Sequence, residues 1–108
     1  MAATSLAAPA SVAAAPASHA PVIAIIRSDV PDARIESVHL LAGALPPGAT
    51  AAMTLTDANC QPDRLGVSHC INELRLTDGT LLVIRHDHDM RAVPCLSPGE
   101  RVSVQASK

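Results

Sequence analysis

Seven side chains able to hold a soft metal ion fall between positions 60 and 95: Cys60, His69, Cys70, His86, His88, Met90 and Cys95. All three cysteines of the chain are among them. Thiolate, imidazole and thioether together suit copper, above all Cu(I), because soft sulfur selects that ion and imidazole accepts it. Zinc competes through Cys and His, and the thioether of Met90 argues against it. The expectation is a metal centre with Cys70, His86, His88 and Met90 as ligands, and His69, Cys60 and Cys95 as substitutes.

These donors need a scaffold that gathers them, and the sequence offers a hairpin. Residues 71–77 and 80–86 flank Asp78-Gly79, a strong hairpin turn pair. In a two-residue turn Thr77 pairs with Thr80, which sets His69 opposite His88. In a turn closed by a bulge at Gly79, Leu76 pairs with Thr80 and Cys70 falls opposite His86. Apolar patterning favours the bulge, since it puts Leu74, Leu76, Leu82 and Ile84 on one face. In either register a strand continued past Arg85 sends His86, His88 and Met90 to one side, with a donor from His69-Cys70 across from them. Asp87 and Asp89 then point to the other side, where they could help steer a cation.

The cysteines have competing uses. A Cys60–Cys95 disulfide would close a loop of about 36 residues, worth roughly 4 kcal/mol in the chain-entropy model, and would leave Cys70 free as a ligand. Equally, Cys70 could be half of the disulfide, or all three could be ligands. The pairing stays open at this level.

The folded unit that carries these residues is small. Half of the first twenty residues are alanine, and proline and serine fill much of the remainder. Residues 1–21 therefore read as a flexible linker, and residues 22–108 as one small β-domain. The chain has no Phe, Tyr or Trp. Its core must be built from Val, Ile, Leu, Met and Ala, without the area an aromatic ring buries. A domain near the lower size limit for a self-supporting core gains from a disulfide or metal staple.

Residues 22–27 read as a buried strand and residues 28–31 as a turn. Residues 32–42 have features of both helix and strand, and are assigned to strand because all that follows reads as β. Leu45-Pro46-Pro47-Gly48 leads into a strand over 51–56, where Met53 and Leu55 alternate with Thr54 and Thr56. Leu96-Ser97-Pro98-Gly99 leads into another over 101–105. Residues 57–68, with Asn59, Pro62, Asp63 and Gly66, read as a loop. The sum is an all-β fold, a small antiparallel barrel or sandwich of five to six strands behind a disordered N-terminal arm.

Composition excludes several functions. A net charge of −2 and the lack of aromatic residues give nucleic acid neither a basic groove nor a stacking platform. No apolar run is long enough to span a membrane. His86-Asp87-His88-Asp89 is similar to the start of the H-x-H-x-D-H signature of metallo-β-lactamase-type hydrolases, but Met90 and Arg91 stand where Asp and His are required. Blue-copper proteins order their C-terminal ligands Cys, His, Met, whereas Cys95 here follows His88 and Met90. Cys70 and His86 could form a Cys/His nucleophile pair, but no orienting third residue or oxyanion element can be identified, so an enzyme is not expected.

Two functions remain. The first is a small envelope metal-binding protein that delivers, stores or senses copper as a chaperone would, with zinc or no metal as alternatives. Its partners would be the metal ion and a protein partner for metal delivery. The second is a disulfide-stapled, non-catalytic β interaction or accessory module. An Ala/Pro-rich tether before a Cys-containing β-domain points to the periplasm or a secreted location, its leader absent from this chain, with the cytoplasm as the alternative. Monomer and homodimer are both compatible with the sequence.

Overall fold

The computed structural model describes residues 20–28 and 34–107. The expected linker lies outside these residues apart from Ala20 and Pro21, and so does most of the expected turn at 28–31. Ala20 is buried, and the Pro21 carbonyl accepts a hydrogen bond from the Leu40 amide at 2.8 Å. No helix among the described residues is long and apolar enough to cross a membrane.

The fold is all-β, with seven strands: β1 (Val22–Arg27), β2 (Arg34–Ala42), β3 (Thr50–Thr54), β4 (Ala58–Pro62), β5 (Ser68–Leu76), β6 (Leu81–His88) and β7 (Arg101–Ala106). Six of them close on themselves in the order β1-β2-β6-β5-β3-β7, every pairing antiparallel. The pairing between β3 and β5 makes the closure. β4 lies outside the ring and pairs only with β5, beside the half of β5 that β3 does not reach.

Period-two alternation explains how this sequence fills the barrel. Ile23 and Ile25, Leu74 and Leu76, Leu82 and Ile84, and Val102 and Val104 all point inwards. Val38, Ala52 and Leu96 complete the packing. Leu96 enters from the segment between β6 and β7, which crosses one barrel end and plugs it. Without rings to fill the centre, branched aliphatic side chains do so, and the small residues Ala52 and Thr54 face inwards from β3. Met53 therefore sits on the outer side of β3, between its register partners Arg75 and Arg101.

The hairpin takes the bulged register. The Leu76 amide donates to the Thr80 carbonyl and the Gly79 amide to the Leu76 carbonyl, with Gly79 in the left-handed region at φ 92°. Leu74 then faces Leu82 and Cys70 faces His86. The strand expected over 32–42 is present as β2 in its described part, with a register shift between Leu40 and Ala42. Gly43 follows this shift at φ 98°, against β6: a Cβ there would lie 2.5 Å from the Leu81 carbonyl oxygen.

The expected loop at 57–68 needs correcting, because it contains β4. Asn59 adopts φ 56°, and the register with β5 shifts between Ala58 and Gln61. That irregularity hides the strand from an alternation test. A disulfide between Cys60 and Cys70 fastens it to β5.

Candidate functional site

Polar side chains collect at the barrel end formed by the end of β1, the starts of β2 and β5, and the end of β6. Alternation carries them inwards in phase with the core. Arg27 follows Ile23 and Ile25, Asn72 lies between Cys70 and Leu74, and His86 and His88 continue the row from Leu82 and Ile84. All four are buried.

Arg27 organises the charge. Its guanidinium donates to both oxygens of Glu100, at 2.8 and 2.9 Å, and to Glu36 at 3.2 Å. It also donates to the Pro94 and Cys95 carbonyls at 2.7 and 2.9 Å, which ties the β6–β7 segment to β1. Burial opposes the charge on Arg27, but the two carboxylates outweigh it and raise the pKa. Burial likewise opposes ionisation of Glu36, while His86 and Arg27 hold its pKa below the ordinary carboxylate value. An ionised Glu36 is thus shared between a guanidinium and an imidazole.

His86 bonds Glu36 through Nε2, and its buried Nδ1 has no partner. With Glu36 ionised, the Nε2 proton is the donor, and in the neutral tautomer Nδ1 carries a lone pair. A histidine that ligates a metal is held in this way, its second nitrogen bonded to a carboxylate that fixes the tautomer and raises ligand basicity. His88 repeats the arrangement more loosely. Its Nδ1 lies 3.4 Å from the His86 carbonyl, and its buried Nε2 is unpartnered. Burial and the neighbouring His86 push its pKa below the ordinary histidine value, so the ring is neutral at pH 7. The two rings stack with centroids 4.1 Å apart and planes at 15°. Lone pairs in near-parallel planes do not meet at one point, so sharing an ion requires a ring to turn. His88 is the less constrained of the two.

Across from His86 on β5 is Cys70, fully buried and joined to Cys60. Asp57 adjoins them: its Oδ1 lies 3.7 Å from Cys60 Sγ, and the ligand atoms of Asp57, Cys60 and Cys70 all lie within 4.8 Å of one another. The Asn72 amide donates to Asp57 Oδ1 at 3.0 Å, to the Thr56 carbonyl at 2.9 Å and to the Leu96 carbonyl at 3.2 Å. It thereby links β5 to the approach to β4 and to the β6–β7 segment. Cys95 is the free cysteine, and burial and the charge of Asp57 raise its pKa and keep the thiol protonated.

The structure therefore redistributes the expected ligands. His86 and His88 share the buried face, as alternation requires. Cys60 and Cys70 adjoin it, but as a disulfide their sulfurs carry no thiolate, and Cys60 is not paired with Cys95. Met90 is not on this face. β6 ends at His88, and Met90 sits exposed in the following turn, where the Ala92 and Val93 amides bond back to the Asp89 carbonyl. His69 lies on the outer side. Its Nδ1 is 2.7 Å from Asp87 and its Nε2 3.0 Å from Asp63, with Arg85 donating to both oxygens of Asp87. These bonds occupy both nitrogens of His69.

No family model, curated protein or solved structure matches this chain. The donors themselves must carry the functional argument.

Residues absent from the expected set are Arg27, Glu36, Glu100, Asp57 and Asn72. Three of them carried a usable signal. Arg27, Glu36 and Asn72 fall in phase with core residues on their strands, and a polar group there requires a buried partner. Asp57 and Glu100 sit on connecting segments, where no periodicity marks them.

Proposed function

We propose that this protein binds a transition-metal ion, copper foremost, at the polar end of its barrel, with His86 Nδ1 and His88 Nε2 as the nitrogen donors. The observation that carries this reading is the pair of buried, unpartnered ring nitrogens. Each leaves a polar atom without a partner where burial costs about 1–3 kcal/mol, and an ion would offset that cost. Glu36 supports the reading by holding His86 in the ligating tautomer. Delivery, storage and sensing all fit such a site.

The test is competition with chromophoric chelators for Cu(I), Cu(II) and Zn(II). One ion per chain is expected, with binding weakened at least 100-fold in the His86→Ala/His88→Ala variant, its fold checked by far-ultraviolet circular dichroism. A variant that is folded and binds as the parent does would refute the proposal.

The Cys60–Cys70 disulfide favours a second reading, a stapled accessory module that uses no metal. Under that reading copper and zinc leave the melting temperature unchanged, whereas an ion held by the folded state alone raises it by mass action.

A further inference from the structure

We propose that the Cys60–Cys70 disulfide is a redox gate on this site: its reduction supplies two sulfur donors that, with Asp57 and His86, form a pocket for a thiophilic ion. This rests on the metal-binding reading and specifies its regulation.

Three observations converge. Asp57, Cys60 and Cys70 already present their ligand atoms within 4.8 Å of one another. Cys70 stands directly across the hairpin from His86, whose buried Nδ1 lacks a partner and whose other nitrogen Glu36 occupies. Opposed side chains of an antiparallel pair have Cβ atoms about 4.5–5.5 Å apart, close enough to meet at one ion. The third observation is topological. The disulfide joins β5 to β4, which lies outside the closed ring, so cutting it leaves all six pairings of the barrel in place, with β4 still laddered to β5.

The chemistry balances with a cellular dithiol as reductant. One of its thiolates attacks Cys60, the more accessible sulfur, forming a mixed disulfide and expelling Cys70 as thiolate. The second dithiol sulfur then displaces Cys60. The reductant leaves as its disulfide, two electrons pass to the protein, and both cysteines become thiols. Metal uptake deprotonates them and releases the protons to solvent. In the oxidised state imidazole dominates the site, and in the reduced state thiolate does. Thiolate donors select Cu(I) and zinc.

The chain suits a direct optical test. It lacks aromatic residues, so charge-transfer absorption from thiolate to Cu(I) in the near ultraviolet appears on a clear background. Oxidised protein and protein reduced with a phosphine, then freed of it under anaerobic conditions, are titrated with Cu(I) against a chelator. Alkylation and trypsin digestion report each thiol separately, because Arg64, Arg75 and Arg91 divide Cys60, Cys70 and Cys95 among different peptides. The expected result is that reduction tightens Cu(I) binding at least 100-fold and brings the charge-transfer band, in wild type and in Cys95→Ser. Cys60→Ser/Cys70→Ser should lack the band under both conditions and bind no tighter than the oxidised parent. Equal affinity in both states, with binding still lost in the His86/His88 double variant, overturns the gate and leaves the metal site standing. Failure of both states to bind overturns both. Collapse of amide NMR dispersion on reduction also overturns the gate, since the barrel must survive it.

Discussion

Replacing Arg27 with Met takes from Glu100 the guanidinium that pairs it, from Glu36 one of its three basic partners beside His86 and Arg34, and from the Pro94 and Cys95 carbonyls a donor. The side chain is fully buried, those of Glu36 and Glu100 are only 11% and 9% exposed, and methionine matches the aliphatic stem. The result is an uncompensated buried charge, not a cavity. Breaking a buried ion pair in this way costs about 3–5 kcal/mol. In a domain of this size each kcal/mol moves the melting temperature by roughly 4–8 °C, so a fall of more than about 12 °C is expected. Urea unfolding followed by far-ultraviolet circular dichroism should show a lower midpoint at unchanged slope, the mark of altered stability without altered surface exposure. Arg27→Lys should recover only part of the loss, because an ammonium cannot reproduce the two-pronged bond to Glu100. A loss below about 1 kcal/mol, the ordinary range of a solvent-screened pair, would refute the claim that this guanidinium holds the barrel end together.

Other outcomes follow from the same geometry. Glu36→Gln keeps the shape beside His86 but removes the charge that fixes its tautomer; metal affinity measured by chelator competition should fall about 10–100-fold, the usual loss for a group supporting a ligand. Gly43→Ala meets the Leu81 carbonyl and a left-handed backbone together, so its unfolding free energy from urea denaturation should drop by more than the roughly 1 kcal/mol expected of strain alone. In the metal-free protein, NMR titration should place the His69 midpoint above the ordinary histidine value, because of Asp87 and then Asp63, and the His88 midpoint below it, because of burial and then His86. The stability terms have opposite signs. The His69 contribution is complete below about pH 6.5, the unfolded value, and is lost as pH rises through its raised pKa; the His88 contribution is complete above about pH 6.5 and is lost as pH falls through its lowered one. Reversal of the two midpoints would contradict both assignments.

Much of this architecture could be read from residue order because barrels obey a strict alternation. Leu74, Leu76, Leu82 and Ile84 chose the hairpin register, and that choice put Cys70 opposite His86. The same rule carried His86 and His88 inwards. It misplaced Met90 on that same side, since a strand's end is set by the turn that follows, here the bonds from Ala92 and Val93 to Asp89. In the bulged register it also separates His69 from the cluster. His69 and Cys70 are neighbours in sequence, and adjacent residues on a strand face opposite ways. β4 escaped because a left-handed Asn59 and a register shift break the period. The disulfide depended on that strand, so the partner of Cys60 became visible only once β4 was placed. The Arg27–Glu100 pair joins segments distant in the chain, which local patterning does not connect.

A ring of strands has no beginning and no end, and this bears on how the molecule meets copies of itself. Six strands satisfy one another's ladders through the closure between β3 and β5, which leaves β4 to offer an open flank. That flank is short, puckered at Asn59 and ended by Pro62, which has no amide hydrogen to donate. Such interruptions deter a neighbour from adding a strand of its own. The fold thus combines a very small aliphatic interior with a built-in resistance to fibril-like stacking.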